Sequence, residues 1–132
     1  MSIPVEIDDL GKAIEKHGAH AYLITTDSKA HPHITHITLL SYSAPFIFNI
    51  GRKTAANASV RPSVAMLWPP LVSGDYSLIV DGLIQVEESL EGSSQGVFEP
   101  KSAILHRSAL NLNPDIAGEC ASDCHPVTAE KK

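Results

Sequence analysis

The stretch Pro45–Pro70, PFIFNIGRKTAANASVRPSVAMLWPP, restricts the fold of this chain more than any other. Phe46, Phe48 and Ile50 alternate with Ile47 and Asn49, the period of a strand with one buried face. Gly51 ends that strand. Arg52 and Lys53 follow as adjacent cations, then an Ala-rich segment opening at Thr54, whose hydroxyl suits an N-cap. Ala55, Ala56 and Ala58 favour helix. Pro62 stops it, because the residue before a proline is pushed out of the helical region. A second apolar run, Val64–Trp68, begins at once, and Pro69-Pro70 cannot donate to a ladder beyond it. The unit is strand, cationic turn, short helix, strand. Cations beside free helix N–H groups make a reasonable place for a phosphate. The plain alternative is a pair of solvated charges, since neither standard Gly-rich phosphate loop is present.

The flanking sequence is mostly strand. Leu10–His17 is a short helix with Leu10, Ala13, Ile14 and His17 on one face, Asp8 or Asp9 to cap it and Gly18 past its end. Ala21–Thr26 reads as a strand, Asp27–Ala30 as a hairpin turn and Pro32–Ser43 as a longer strand. Along it His33, Thr35, Ile37 and Leu39 point one way, and Ile34, His36, Thr38 and Leu40 the other. Its polar end is suited to lining a cleft. Tyr76–Glu87 is the longest strand, with Gly82 marking a bulge or bend. Glu88–Gly96 reads as a turn and Lys101–Arg107 as a sixth strand. The expectation is a mainly β fold, a six-stranded barrel with short N-terminal and inter-strand helices.

At 132 residues the chain is expected to form a single domain, residues 1–132, with a core at about 10–107 and an irregular tail at 108–132. A net charge of −5 and no run of more than two basic residues argue against nucleic acid. No apolar run approaches membrane-spanning length. The first residues carry acids where a signal peptide needs an apolar core, so a cytoplasmic location is expected.

The order AYLITTDSKAHPHITHITLL, then PFIFNIGRKTAANASVRPSVAMLWPP, then YSLIVDGLIQVEE resembles the pyridoxamine 5′-phosphate oxidase-like, FMN-binding split barrels. The likeness spans about Leu10–Glu88. It rests on the basic turn, on an Asn in the short helix (Asn57), and on Arg61-Pro62 where the family commonly has Asn-Pro. It implies a homodimeric split barrel with two equivalent cofactor sites at the subunit interface. Carried onto this chain, the cofactor-binding positions are His33, Thr35, His36, Asn49, Arg52, Lys53, Thr54 and Asn57. The implied cofactor is FMN, with deazaflavin or haem as alternatives. The implied function is an oxidoreductase acting on a small molecule, or else a deazaflavin-dependent reductase or a non-enzymatic flavin-binding, haem-binding or cofactor-free dimer. The oxidase itself places an Arg and a Lys on the second strand, where this chain has Thr35 and Leu40. It also carries a Trp- and Arg-rich C-terminal substrate segment that this chain lacks. The chain is therefore not the oxidase.

Other chemistry is sparse. His31, His33 and His36 crowd one strand, but metal sites normally need further ligands. The expectation is no metal, with His36 available to a flavin edge or a phosphate. Cys120 and Cys124, beside His125, could pair or ligate, but free thiols are the cytosolic default. Arg107 could meet an anionic ligand or an interface carboxylate, or simply end an exposed strand. No catalytic residue or nucleophile–base order can be read.

Overall fold

The structure, a computed structural model, describes residues 2–88 and 92–108. Its elements are β1 (Ser2–Val5), a 3-10 turn (Ile7–Asp9), α1 (Leu10–His17), β2 (His20–Thr26), β3 (Pro32–Thr38), β4 (Phe46–Ile50), α2 (Arg52–Val60), β5 (Ser63–Trp68), β6 (Ser77–Glu88) and β7 (Ser94–His106). The strands pair antiparallel in the order β1-β7-β6-β5-β2-β3, with β4 also on β7. β1 and β4 share one edge of β7, taking Ala103–His106 and Ser94–Phe98 respectively, while β6 runs along the other edge. Between β3 and β4 the barrel closes through a single bridge, Leu39 to Phe48, and the Leu40 N–H donates to the Ile47 carbonyl at 2.8 Å. The split lies at this seam.

This is the expected fold class, a mainly β split barrel with short helices. The described strands number seven, not six. Ser2–Val5 is short, contains Pro4 and is mostly exposed, so it has no alternation to read; distant pairing with β7 makes it a strand. β7 starts at Ser94, inside the expected Glu88–Gly96 turn and well before Lys101. Gly96 and Pro100 look like turn residues but act otherwise. A Cβ on Gly96 would lie 2.7 Å from the Ile84 side chain and 2.9 Å from Phe48, so the bare backbone allows close packing. Pro100 adjoins a bulge, where a missing N–H is tolerated. There Asp81 pairs with Ser102 and Gly82 with Pro100, leaving Lys101 as the extra residue. Among the described residues β3 ends at Thr38, not Ser43.

The inward side chains form one core that includes Trp68, Phe46, Phe48, Phe98, Leu23, Met66 and Val80. Each such side chain contributes about 1.5–3 kcal/mol on burial. α1 presses Leu10 and Ile14 into this core and ends at Gly18, whose φ of 99° favours glycine. Asp9 occupies its N-cap position but makes no side-chain hydrogen bond there. Two contacts pin the end of the helix: the Trp68 indole N–H donates to the Gly18 carbonyl at 2.9 Å, and His17 Nε2 lies 3.2 Å from the Tyr76 carbonyl. Among the described residues no helix is long and apolar enough to cross a membrane.

Candidate functional site

The basic turn opens α2. Its helix begins at Arg52, three residues before the start that a Thr54 N-cap implies, and Gly51 rather than Thr54 is its N-cap. Gly51 has no side chain, so the first-turn N–H groups receive no side-chain cap. Thr54 is instead the third helical residue, and its side chain is buried between helix and barrel. Asn57, one turn on, is buried too, and its Nδ2 donates to Thr25 Oγ1 on β2 at 3.1 Å. Thr25, Thr54 and Asn57 are the buried polar residues among those described. Placed so, Asn57 holds the helix to the sheet, and with it the attitude of the basic turn.

The two cations diverge. Arg52 lines a polar cavity of about 480 Å³ between the helix and the β6–β7 end, together with Ser59, Ser93, Ser94 and Glu88. Lys53 is not part of that lining. It lies within electrostatic reach of Asp27 in the β2–β3 turn. The Asp27 carboxylate accepts the His31 and Lys29 backbone N–H groups, each at 2.9 Å, and its Oδ2 lies 3.5 Å from His31 Nδ1. Those two backbone bonds hold Asp27 below the usual carboxylate range against desolvation, with lesser help from the charges of His31 and Lys53. A depressed carboxyl stabilises the hairpin above its ordinary pKa, and that contribution is lost as pH falls through the lowered value.

The other expected positions scatter over both sheet faces. His33 and Thr35 are half-buried on the inner face of β3, opposite Thr25 and Leu23. His36 is exposed on the outer face, its ring 5.3 Å from His20 and 5.5 Å from Tyr22. His31 and His33 therefore do not converge with His36. Asn49 is exposed on β4 and accepts from Gln95 Nε2 at 3.4 Å. Leu40 is exposed. Arg107 lies over the Tyr76 ring, 4.6 Å from its centroid. Cys120, Cys124, His125 and all but the first residue of the expected tail lie outside the described residues. Sequence reasoning missed Thr25 and His20. The hairpin register brings in both, since the Asp27–Ala30 turn sets Thr25 across from His33 and His20 across from Thr38.

A second cavity, about 600 Å³ and mainly apolar, opens on the outside of β6 and β7 between Ala44-Pro45 and Pro62. Leu83 and Val97 line it, with Gln85 and Glu99 as its polar side chains. Glu99 is also 3.4 Å from Lys101.

No family model matches the chain. Two curated relatives do, uncharacterized proteins of Mycobacterium bovis and Mycobacterium tuberculosis. Each is 32% identical over 116 residues, covering 79% of this chain and 82% of the relative. Among solved structures, a provisional pyridoxamine 5′-phosphate oxidase of Listeria innocua superposes with a TM-score of 0.65 at 17% identity, over 78% of this chain and 100% of that one. The FAD binding protein of Mycobacterium smegmatis gives 0.59 at 15% identity, over 81% and 100%. The heme storage protein HutZ of Vibrio cholerae gives 0.59 at 13%, over 74% and 94%. The chain belongs to one family with the two mycobacterial proteins, and its fold is that of the pyridoxamine 5′-phosphate oxidase-like split barrels.

Proposed function

We propose that this protein is a homodimeric FMN-binding split barrel that uses the flavin to oxidise or reduce a small molecule. The observation that carries the reading is Arg52 at the mouth of a polar cavity beside an uncapped helix N-terminus. An anion there meets a guanidinium and aligned N–H dipoles. The volume, about 480 Å³, is in the ordinary range for small-ligand sites. Lys53 adds a second positive charge at the hairpin side of the same turn. Glu88 on the cavity wall opposes an anion, and β3 supplies Thr35, with Leu40 just past its end, where the resemblance puts cations of the oxidase. Binding is accordingly modest and salt-sensitive. When bound, the flavin supplies the redox chemistry; the chain's residues hold and orient it. The names of the Mycobacterium smegmatis and Vibrio cholerae neighbours support a flavin and keep haem as the second reading. The half-buried His33 gives that second reading an imidazole directly across from Thr25, the residue that bonds Asn57 of α2.

Titration of FMN, followed by flavin fluorescence, tests the site. Arg52→Ala with Lys53→Ala is expected to weaken binding by about 1.5–3 kcal/mol, the loss of the one charge-assisted contact that Arg52 makes, with Lys53 adding only longer-range attraction and the barrel still folded. Equal affinity in both proteins would put the phosphate elsewhere. If the wild type binds no FMN but takes up haem with a Soret band, the second reading replaces the first.

The dimer reading rests on the outer sheet face, where Tyr22, Ile34 and Leu83 are exposed around the half-buried Ile24, Leu67 and Ile79. Apolar patches of this kind mark interfaces. Sedimentation at micromolar concentration is expected to show a dimer. A clean monomer would remove the interface and any cofactor site built on it.

A further inference from the structure

The outer face of the β2–β3 hairpin carries two histidines that do not line the cavity at Arg52: His36, one of the cofactor-binding positions the resemblance implies, and His20. His20 and His36 stand diagonally across the two strands, each beside the other's direct partner in the pairs His20–Thr38 and Tyr22–His36. Both are exposed in the single chain, on the opposite face from Thr25 and its bond to Asn57, and His36, paired with Tyr22, stands at the edge of the face proposed for the dimer contact. Their rings stack with centroids 5.3 Å apart and planes 29° from parallel.

We propose that His20 and His36 chelate one divalent late first-row transition-metal ion per chain. Imidazole suits zinc and copper, and copper(II) stands at the top of the stability order. A metal–nitrogen bond of about 2.0–2.1 Å, plus about 1.1 Å from nitrogen to ring centre, sets each centroid about 3.2 Å from a shared ion. A tetrahedral angle between the two ligands then separates the centroids by about 5.2 Å. The observed centroid spacing agrees with that separation, and rotation of the stacked rings about their side-chain bonds would bring a nitrogen of each to a common point. His20 Nδ1 lies 3.1 Å from Thr38 Oγ1, a contact that orients the ring and leaves Nε2 for the metal. His36 has no hydrogen-bond partner among the described residues, so either of its nitrogens can ligate. No group of three or more His, Cys, Asp or Glu side chains gathers among the described residues. Two protein ligands leave the remaining coordination positions to water or an outside ligand, so this is a two-histidine surface chelate, short of the three protein ligands of a catalytic site.

Copper(II) titrated into the full chain without flavin, read by calorimetry and by electron paramagnetic resonance, tests the site independently of the flavin reading. One ion per chain is expected, with equatorial nitrogen hyperfine splitting. His20→Ala and His36→Ala should each weaken binding at least tenfold, and Thr38→Val about tenfold through loss of the orienting contact. Both histidines are exposed, so an unchanged melting temperature shows that the variants remain folded. Cys120, Cys124 and His125 form the rival ligand set in the sequence, and Cys120→Ser with Cys124→Ser should leave the affinity intact. Wild-type affinity in the double histidine variant, loss of the ion on replacing the cysteines, or no binding to the wild type would each overturn the proposal.

Discussion

Gly82→Ala is expected to lower stability by about 3 kcal/mol, at the upper end of the usual cost of overpacking. A Cβ on Gly82 would lie 2.3 Å from the Glu99 carbonyl oxygen and 2.7 and 2.9 Å from the Phe98 ring. The ring could rotate, but it is fully buried in the core. The carbonyl belongs to β7, which pairs with β6 at Glu99, with β4 up to the neighbouring Phe98, and is bulged at Lys101. Moving it would disturb ladders on either side. Gly51→Ala is the control, because nothing lies within 4 Å of a Cβ built there. Thermal unfolding should show a drop of about 10 °C or more for Gly82→Ala, given several degrees per kcal/mol in a domain of this size. For Gly51→Ala the change should be small. Matching midpoints in the two variants would mean that β7 yields at the bulge far more easily than its pairing implies.

Trp68→Ala should cost about 3–5 kcal/mol, the usual range for emptying a buried aromatic site. Trp68 is 1% exposed and does two jobs at once. Its ring fills the barrel end under α1, and its N–H satisfies the Gly18 carbonyl where that helix ends. Trp68→Phe separates the two: most of the volume stays and one hydrogen bond goes, at about 1–2 kcal/mol. Denaturant titration followed by circular dichroism gives both values. Amide exchange adds a local reading, since Lys12–His17 should lose protection in the Ala variant before the strands do. A loss under 1 kcal/mol for Trp68→Ala would show that the helix end is held by other contacts.

How far the sequence disclosed this molecule depended on whether a signal was local. Phe46, Phe48 and Ile50 alternate in the sequence, and all three are buried, because burying one face of a strand writes itself into every second residue. The split of β3 into His33, Thr35 and Ile37 on one side and His36 on the other was legible for the same reason. β1 was not, since Ser2–Val5 becomes a strand only through residues about a hundred positions away. The first half of β7 was hidden by Gly96 and Pro100, whose local preference for turns is overridden by packing and by the bulge. The start of α2 was misread at Thr54 because a hydroxyl is the usual N-cap signal, and here Gly51 takes that position and the hydroxyl is buried. The same burial bears on the candidate site. Asn57 reads as a ligand-facing polar residue until Thr25 is found beneath it, and nothing in the local sequence joins a helix residue to one 32 positions earlier.

The shared edge of β7 also sets an order of assembly. β7 is the last strand among the described residues, yet β1, β4 and β6 all pair with it. As the chain leaves the ribosome, the first five strands can form the β2–β3 hairpin, its pairing with β5 and the single bridge from Leu39 to Phe48, but no ladder for β1 or β4. β1 and β4 must wait with open backbone edges until residues 94–106 have emerged. Such long-range closure makes folding slow compared with a helical chain of equal length. In the interval the waiting edges are templates for pairing with another nascent chain. A polypeptide truncated before Ser94 would lack the partner of three strands at once, so a premature stop in that interval exposes it to aggregation and degradation.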